Sequence, residues 1–107
     1  MEARQFPRVS LNSMSLLRSD HDSVQGALLN LSRTGAQLSA AYRVQPRDYL
    51  SLSFSLPFQV PLLEVILAAV RWVRGRNFGV EFIQISETER SRLKDFLDIQ
   101  PIPNTSP

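Results

Sequence analysis

Residues 49–56, YLSLSFSL, alternate without interruption. Leu50, Leu52, Phe54 and Leu56 fall on one side, and Ser51, Ser53 and Ser55 fall on the other. Side chains of a strand point to opposite faces in turn, so this period of two predicts a half-buried β-strand. The rest of the chain must supply a sheet for it. Residues 9–18, 24–31, 36–39, 62–73 and 78–85 each read as a further strand, the first with muddled alternation. Turn chemistry separates them: Ser19 to Asp22, Arg33-Thr34-Gly35, the loop 40–47 with Pro46, the connection bracketed by Pro57 and Pro61, and the hairpin turn Arg74 to Asn77.

One helix follows the strands. Ser86-Glu87-Thr88-Glu89 is a capping box, with Ser86 as N-cap and Glu89 three residues on. Leu93, Phe96 and Leu97 then form a single apolar stripe. The expected fold class is all-β with a C-terminal helix. It is a six-stranded antiparallel barrel, split or closed, with the helix covering one open end. Closure also removes exposed strand edges. The expected organisation is an arm over residues 1–8, the barrel and helix over 9–98, and a disordered tail over 99–107, where PIPNTSP holds three prolines.

Composition removes most chemistries. At 107 residues the chain is one domain. It has no cysteine, which excludes disulfides, thiolate metal sites and a thiol nucleophile. Its one histidine, His21, lies in a turn between Asp20 and Asp22, a set that cannot wrap a metal. Without a nucleophile–base pair or a metal set, no enzyme and no cofactor are expected. A net charge of +2 is too small for a bulk binder of nucleic acid. The longest apolar stretch, Val60 to Val70, contains Pro61 and Glu64 and is far shorter than the roughly 20 residues a membrane helix needs. No signal peptide is visible, so a soluble cytoplasmic protein is expected.

The basic residues are eleven arginines and one lysine, Lys94. Arginine grips phosphate bidentately and stacks on rings, as lysine does not. Arg4 and Arg8 flank Gln5-Phe6-Pro7, and Pro7 disfavours helix at Phe6. In an extended arm the two Cα atoms stand about 13 Å apart, a spacing suited to two parts of one doubly charged ligand. Further on, Asn30-Leu31-Ser32-Arg33-Thr34-Gly35 ends a strand. Alternation puts Asn30 and Ser32 on one face and Leu31 in the core. Gly35 allows a tight turn or the close approach of a ligand to the backbone.

Arg4-x-x-x-Arg8 followed by Asn30-x-Ser32-x-x-Gly35 resembles the signature of PilZ domains, bacterial receptors for cyclic di-GMP. Glu2, Phe6-Pro7, Leu31 and Thr34 fit the same pattern, as do Val70-Arg71-Trp72-Val73, Phe78-Gly79-Val80-Glu81-Phe82 and the helix from Ser86. The resemblance runs from about residue 2 to 98. It implies a six-stranded antiparallel barrel with a C-terminal helix. It also implies cyclic di-GMP as ligand, with Arg4 and Arg8 on guanine or phosphate, Asn30 and Ser32 on a guanine edge, and Gly35 leaving room. Arginine pairs bidentately with guanine O6 and N7, which fits that assignment.

Ligand binding is then expected to order the arm and build a surface that a partner protein reads. With the first motif opening at Arg4, no upstream domain is expected to receive the signal. Ala3 stands where many members carry a further arginine, which points to one ligand per chain. Arg33 and Arg71 are secondary candidates for the site, beside Arg74 and Arg76 at the last hairpin. Trp72 reads as a core or rim residue, and Glu87 and Glu89 as helix-start charges. The alternative function is a protein-interaction adaptor that binds no nucleotide. A small nucleic-acid-binding barrel fits less well, because most of the phenylalanines fall on apolar faces rather than offering stacking surfaces.

Overall fold

The computed structural model describes residues 8–20, 22–57 and 59–99, with 59 and 60 as backbone alone. The arm up to residue 7, His21 and the tail from residue 100 lie outside the described residues. Among the described residues six strands and one helix follow in order: β1 (Val9–Arg18), β2 (Ser23–Leu31), β3 (Gly35–Ser39), β4 (Tyr49–Leu56), β5 (Gln59–Arg74), β6 (Asn77–Gln84) and α1 (Glu87–Asp98). All neighbours are antiparallel, and the sheet closes into a barrel in the order β1-β2-β3-β6-β5-β4.

The alternation of β4 becomes the barrel wall. Leu50, Leu52, Phe54 and Leu56 are all buried among Leu17, Leu28, Leu38, Leu63 and Phe78. Ser53 on the outer face is buried as well; it lies in register between Leu16 of β1 and Glu64 of β5. The muddled pattern of β1 has a physical cause. Its inward positions include Ser13 and Ser15, whose hydroxyls donate to the backbone carbonyls of Ser55 and Ser53 at 3.0 and 3.2 Å. β1 is in register with β4 only over Ser15–Arg18, so the Ser15 hydroxyl braces the last pair of the ladder and the Ser13 hydroxyl extends the junction past its end.

β5 begins at Gln59, earlier than the expected residue 62, and Pro61 lies inside it. Proline is tolerated there because β6 joins β5 only from Leu67 onward, leaving the first part of β5 an edge on that side. α1 covers that edge. Glu89 Oε2 accepts from Glu64 N at 3.1 Å, and Arg92 donates to the carbonyls of Pro61 and Leu62. Ser86 caps the helix as expected, accepting from Glu89 N at 3.2 Å. The Glu89 carboxylate does not fold back on the cap; it is held by β5 and by Arg92 Nη1 at 2.7 Å. Leu93 and Phe96 are buried in the barrel end, and Leu97 packs half-buried beside them.

Candidate functional site

Two β-bulges decide which side chains reach the outer surface. In β2, Leu28 is opposite Leu38 and Asn30 opposite Gln37, so Leu29 is an extra residue. Leu28 and Leu31 are both fully buried although three apart, and Asn30 is turned outward between them. In β5, Val70 is opposite Val80 and Trp72 opposite Gly79, so Arg71 is the extra residue. Arg71 and Trp72 are consecutive and both exposed, Trp72 at 38 %. Bulges re-aim side chains in this way by breaking the two-residue period.

The registers then line up one row across five strands: Ser10 of β1, Asn30 of β2, Gln37 of β3, Gly79 of β6 and Trp72 of β5. Arg8, just before β1, donates from Nη1 to Asn30 Oδ1 at 2.8 Å. Asn30 Nδ2 donates to Gln37 Oε1 at 2.7 Å, which fixes the orientation of the Asn30 amide. Trp72 lies over Gly79, where any Cβ would overlap the indole. The Arg74 guanidinium stands 5.7 Å from the indole centroid, within cation–π range.

Next to this row Glu81 stands opposite Gly35. Glu81 Oε1 accepts from Arg71 Nε at 2.8 Å and lies 2.6 Å from Arg71 Nη2. A cleft of about 270 Å³ is lined by Arg8, Gln37, Arg71, Trp72 and Glu81 together with Gly35 and Gly79, and Asn30 reaches it through its bonds to Arg8 and Gln37. Two guanidinium groups and one carboxylate leave its lining net positive. A planar aromatic face beside two arginines suits an anionic ligand that also carries rings.

The predicted residues take different places. Arg8 and Asn30 are brought into contact, and Gly35 and Arg71 line the same cleft. Arg4 lies outside the described residues. Ser32 does not share the outward face with Asn30: it sits beyond the end of β2, only 2 % exposed. Its hydroxyl accepts from Thr34 N at 3.3 Å and lies 3.4 Å from the Gly35 carbonyl, which the Ser32 amide also reaches at 2.9 Å. Ser32 thus builds the turn from inside. Gly35 is required by the strand pairing itself, because a Cβ there would overlap the Val80 carbonyl oxygen.

Arg33 lines a different cleft, of about 400 Å³, with Glu87, Arg90 and Lys94 of the helix region. Gln37, Trp72, Gly79 and Glu81 are the site residues that sequence reasoning missed, Trp72 having read as a core or rim residue. Gly79 carried a signal, since a glycine inside a strand marks a close approach, here by Trp72. Among the described residues no group of three or more His, Asp or Glu side chains is placed to hold a metal. No helix among them is long and apolar enough to cross a membrane.

Comparison with known proteins adds two findings. A family model described as the PilZ domain matches residues 2–98. Among solved structures, the Bacillus subtilis inhibitor of motility (MotI/DgrA) superposes with a TM-score of 0.74 at 17 % identity. The match covers 94 % of this chain and 54 % of that one, so this chain spans about half the length of that protein. At that identity the likeness is one of fold. No curated protein matches the chain.

Proposed function

The chain belongs to the PilZ domain family, and from that premise we propose that it is a receptor for cyclic di-GMP. The observation that carries the proposal is the 2.8 Å hydrogen bond between Arg8 and Asn30, one residue from each motif, at a cleft lined by a second arginine and the only tryptophan. Arg4 and Arg8 engage guanine or phosphate. Asn30, with its amide held by Gln37, offers Oδ1 to a guanine donor. Arg71 is a second cation for the phosphates, and Trp72 offers a face to a purine ring. Ser32 and Gly35 act through the backbone, by holding the 32–35 turn closed and β3 close to β6.

In this mechanism the ligand replaces the Arg8–Asn30 contact with contacts to itself and fastens the arm over the cleft. The composite surface of ligand, arm and barrel is what a partner protein reads. Isothermal titration with cyclic di-GMP, with GTP and cyclic GMP as controls, tests it. Saturable binding that is lost in Arg8→Ala supports the receptor. No binding at millimolar ligand assigns the domain to protein interaction alone. Hydrogen exchange across residues 1–8 tests the clamp, which requires protection to rise when ligand is added.

A further inference from the structure

One group lining the cleft has the wrong sign for an anionic ligand. Glu81 is paired with Arg71 through a single carboxylate oxygen, and each side chain is 52 % exposed. The pairing is imposed by the backbone. The bulge in β5 makes Arg71 the extra residue, and the β3–β6 register sets Glu81 opposite a glycine, Gly35, that also lines the cleft. A half-exposed pair of this kind is weak and is screened by salt, so a better anion can exchange for it. A phosphate is that anion: it takes two parallel hydrogen bonds from the guanidinium fork.

We propose that Glu81 sets the affinity of the cleft by holding Arg71 until a phosphate displaces it. The proposal rests on the assignment of the cleft to cyclic di-GMP. In the unliganded chain the carboxylate occupies the arginine that the ligand needs. In the liganded chain it remains close to the phosphates and repels them. Both effects lower affinity, and both disappear when Glu81 is neutral. The first of them also requires Arg71 to be present.

The test is titration of the full chain with cyclic di-GMP in four forms: wild type, Glu81→Gln, Arg71→Met and the double substitution. Both side chains lie on the outer surface, and thermal melts check that each variant is folded. At low ionic strength Glu81→Gln is expected to bind about fivefold tighter than wild type. The difference narrows in about 0.5 M salt, where charges are screened beyond a few ångströms. Arg71→Met binds more weakly than wild type, and in that background Glu81→Gln recovers only a small part of its gain. Binding by wild type with equal or weaker binding by Glu81→Gln overturns the role of Glu81 alone. So does a gain of full size that persists without Arg71. No binding by either wild type or Glu81→Gln overturns the cyclic di-GMP assignment, and this proposal with it.

Discussion

Arg8 and Asn30, 22 residues apart in sequence, are joined by a hydrogen bond from Arg8 Nη1 to Asn30 Oδ1 at 2.8 Å. The bond lies on the surface, so it adds little to stability, and its value is in placing the guanidinium at the cleft mouth. Arg8→Ala is therefore expected to leave the melting temperature nearly unchanged while weakening cyclic di-GMP binding tenfold or more. That magnitude follows from charged hydrogen bonds contributing roughly 1.5–3 kcal/mol. Calorimetric titration and a thermal melt on the same preparation separate the two effects.

Gly35 gives the opposite pattern. A Cβ at this position would overlap the backbone oxygen of Val80, and backbone in a closed ladder cannot step aside as a side-chain end can. Gly35→Ala is expected to cost about 1–3 kcal/mol, the usual range for overpacking. It should lower the melting temperature by several degrees before any ligand is added. A variant as stable as wild type that simply fails to bind would mean that the glycine serves the ligand and not the sheet.

Arg92 holds α1 to the exposed edge of β5. It donates to the carbonyls of Pro61 and Leu62 and pairs with Glu89 at 2.7 Å, with both side chains about four-fifths covered. Loss of these charge-assisted bonds in Arg92→Ala is expected to destabilise the fold by about 2 kcal/mol. Arg92→Lys should recover only part of this, because an ammonium lacks the planar fork that spans two carbonyls. Denaturant unfolding of the two variants beside wild type measures the difference.

Much of the fold is legible along the chain because its signals are local. The leucines of β4, the turn residues between strands and the Ser86 cap each act within a few positions, and the structure places these elements where those signals put them. What local reading misses is set by partners distant in sequence. Pro61 reads as a strand breaker until the edge of β5 is seen to be covered by Arg92. Ser32 reads as an outward neighbour of Asn30 until the end of β2 at Leu31 turns the two apart. The cleft is half legible for the same reason. Arg8, Asn30 and Gly35 lie in contiguous motifs, whereas Gln37, Gly79 and Glu81 join them only through the registers of β3 and β6.

Trp72 and Gly79 provide the last test, because the chain has one tryptophan and its fluorescence reports this cleft alone. The indole lies on the bare backbone of Gly79, half exposed, with Arg74 over the ring. A methyl group at position 79 would overlap the indole nitrogen, so in Gly79→Ala the ring has to swing off the sheet into water. Its emission should then shift to longer wavelength while the rest of the barrel stays folded by circular dichroism. If Trp72 offers its face to a purine, wild-type emission changes saturably with cyclic di-GMP. Gly79→Ala then loses most of that change together with binding energy on the order of 1–3 kcal/mol, the worth of one base–aromatic stack. Unaltered affinity in Gly79→Ala, with the emission shift present, would remove Trp72 from the binding surface and leave the cleft to its arginines.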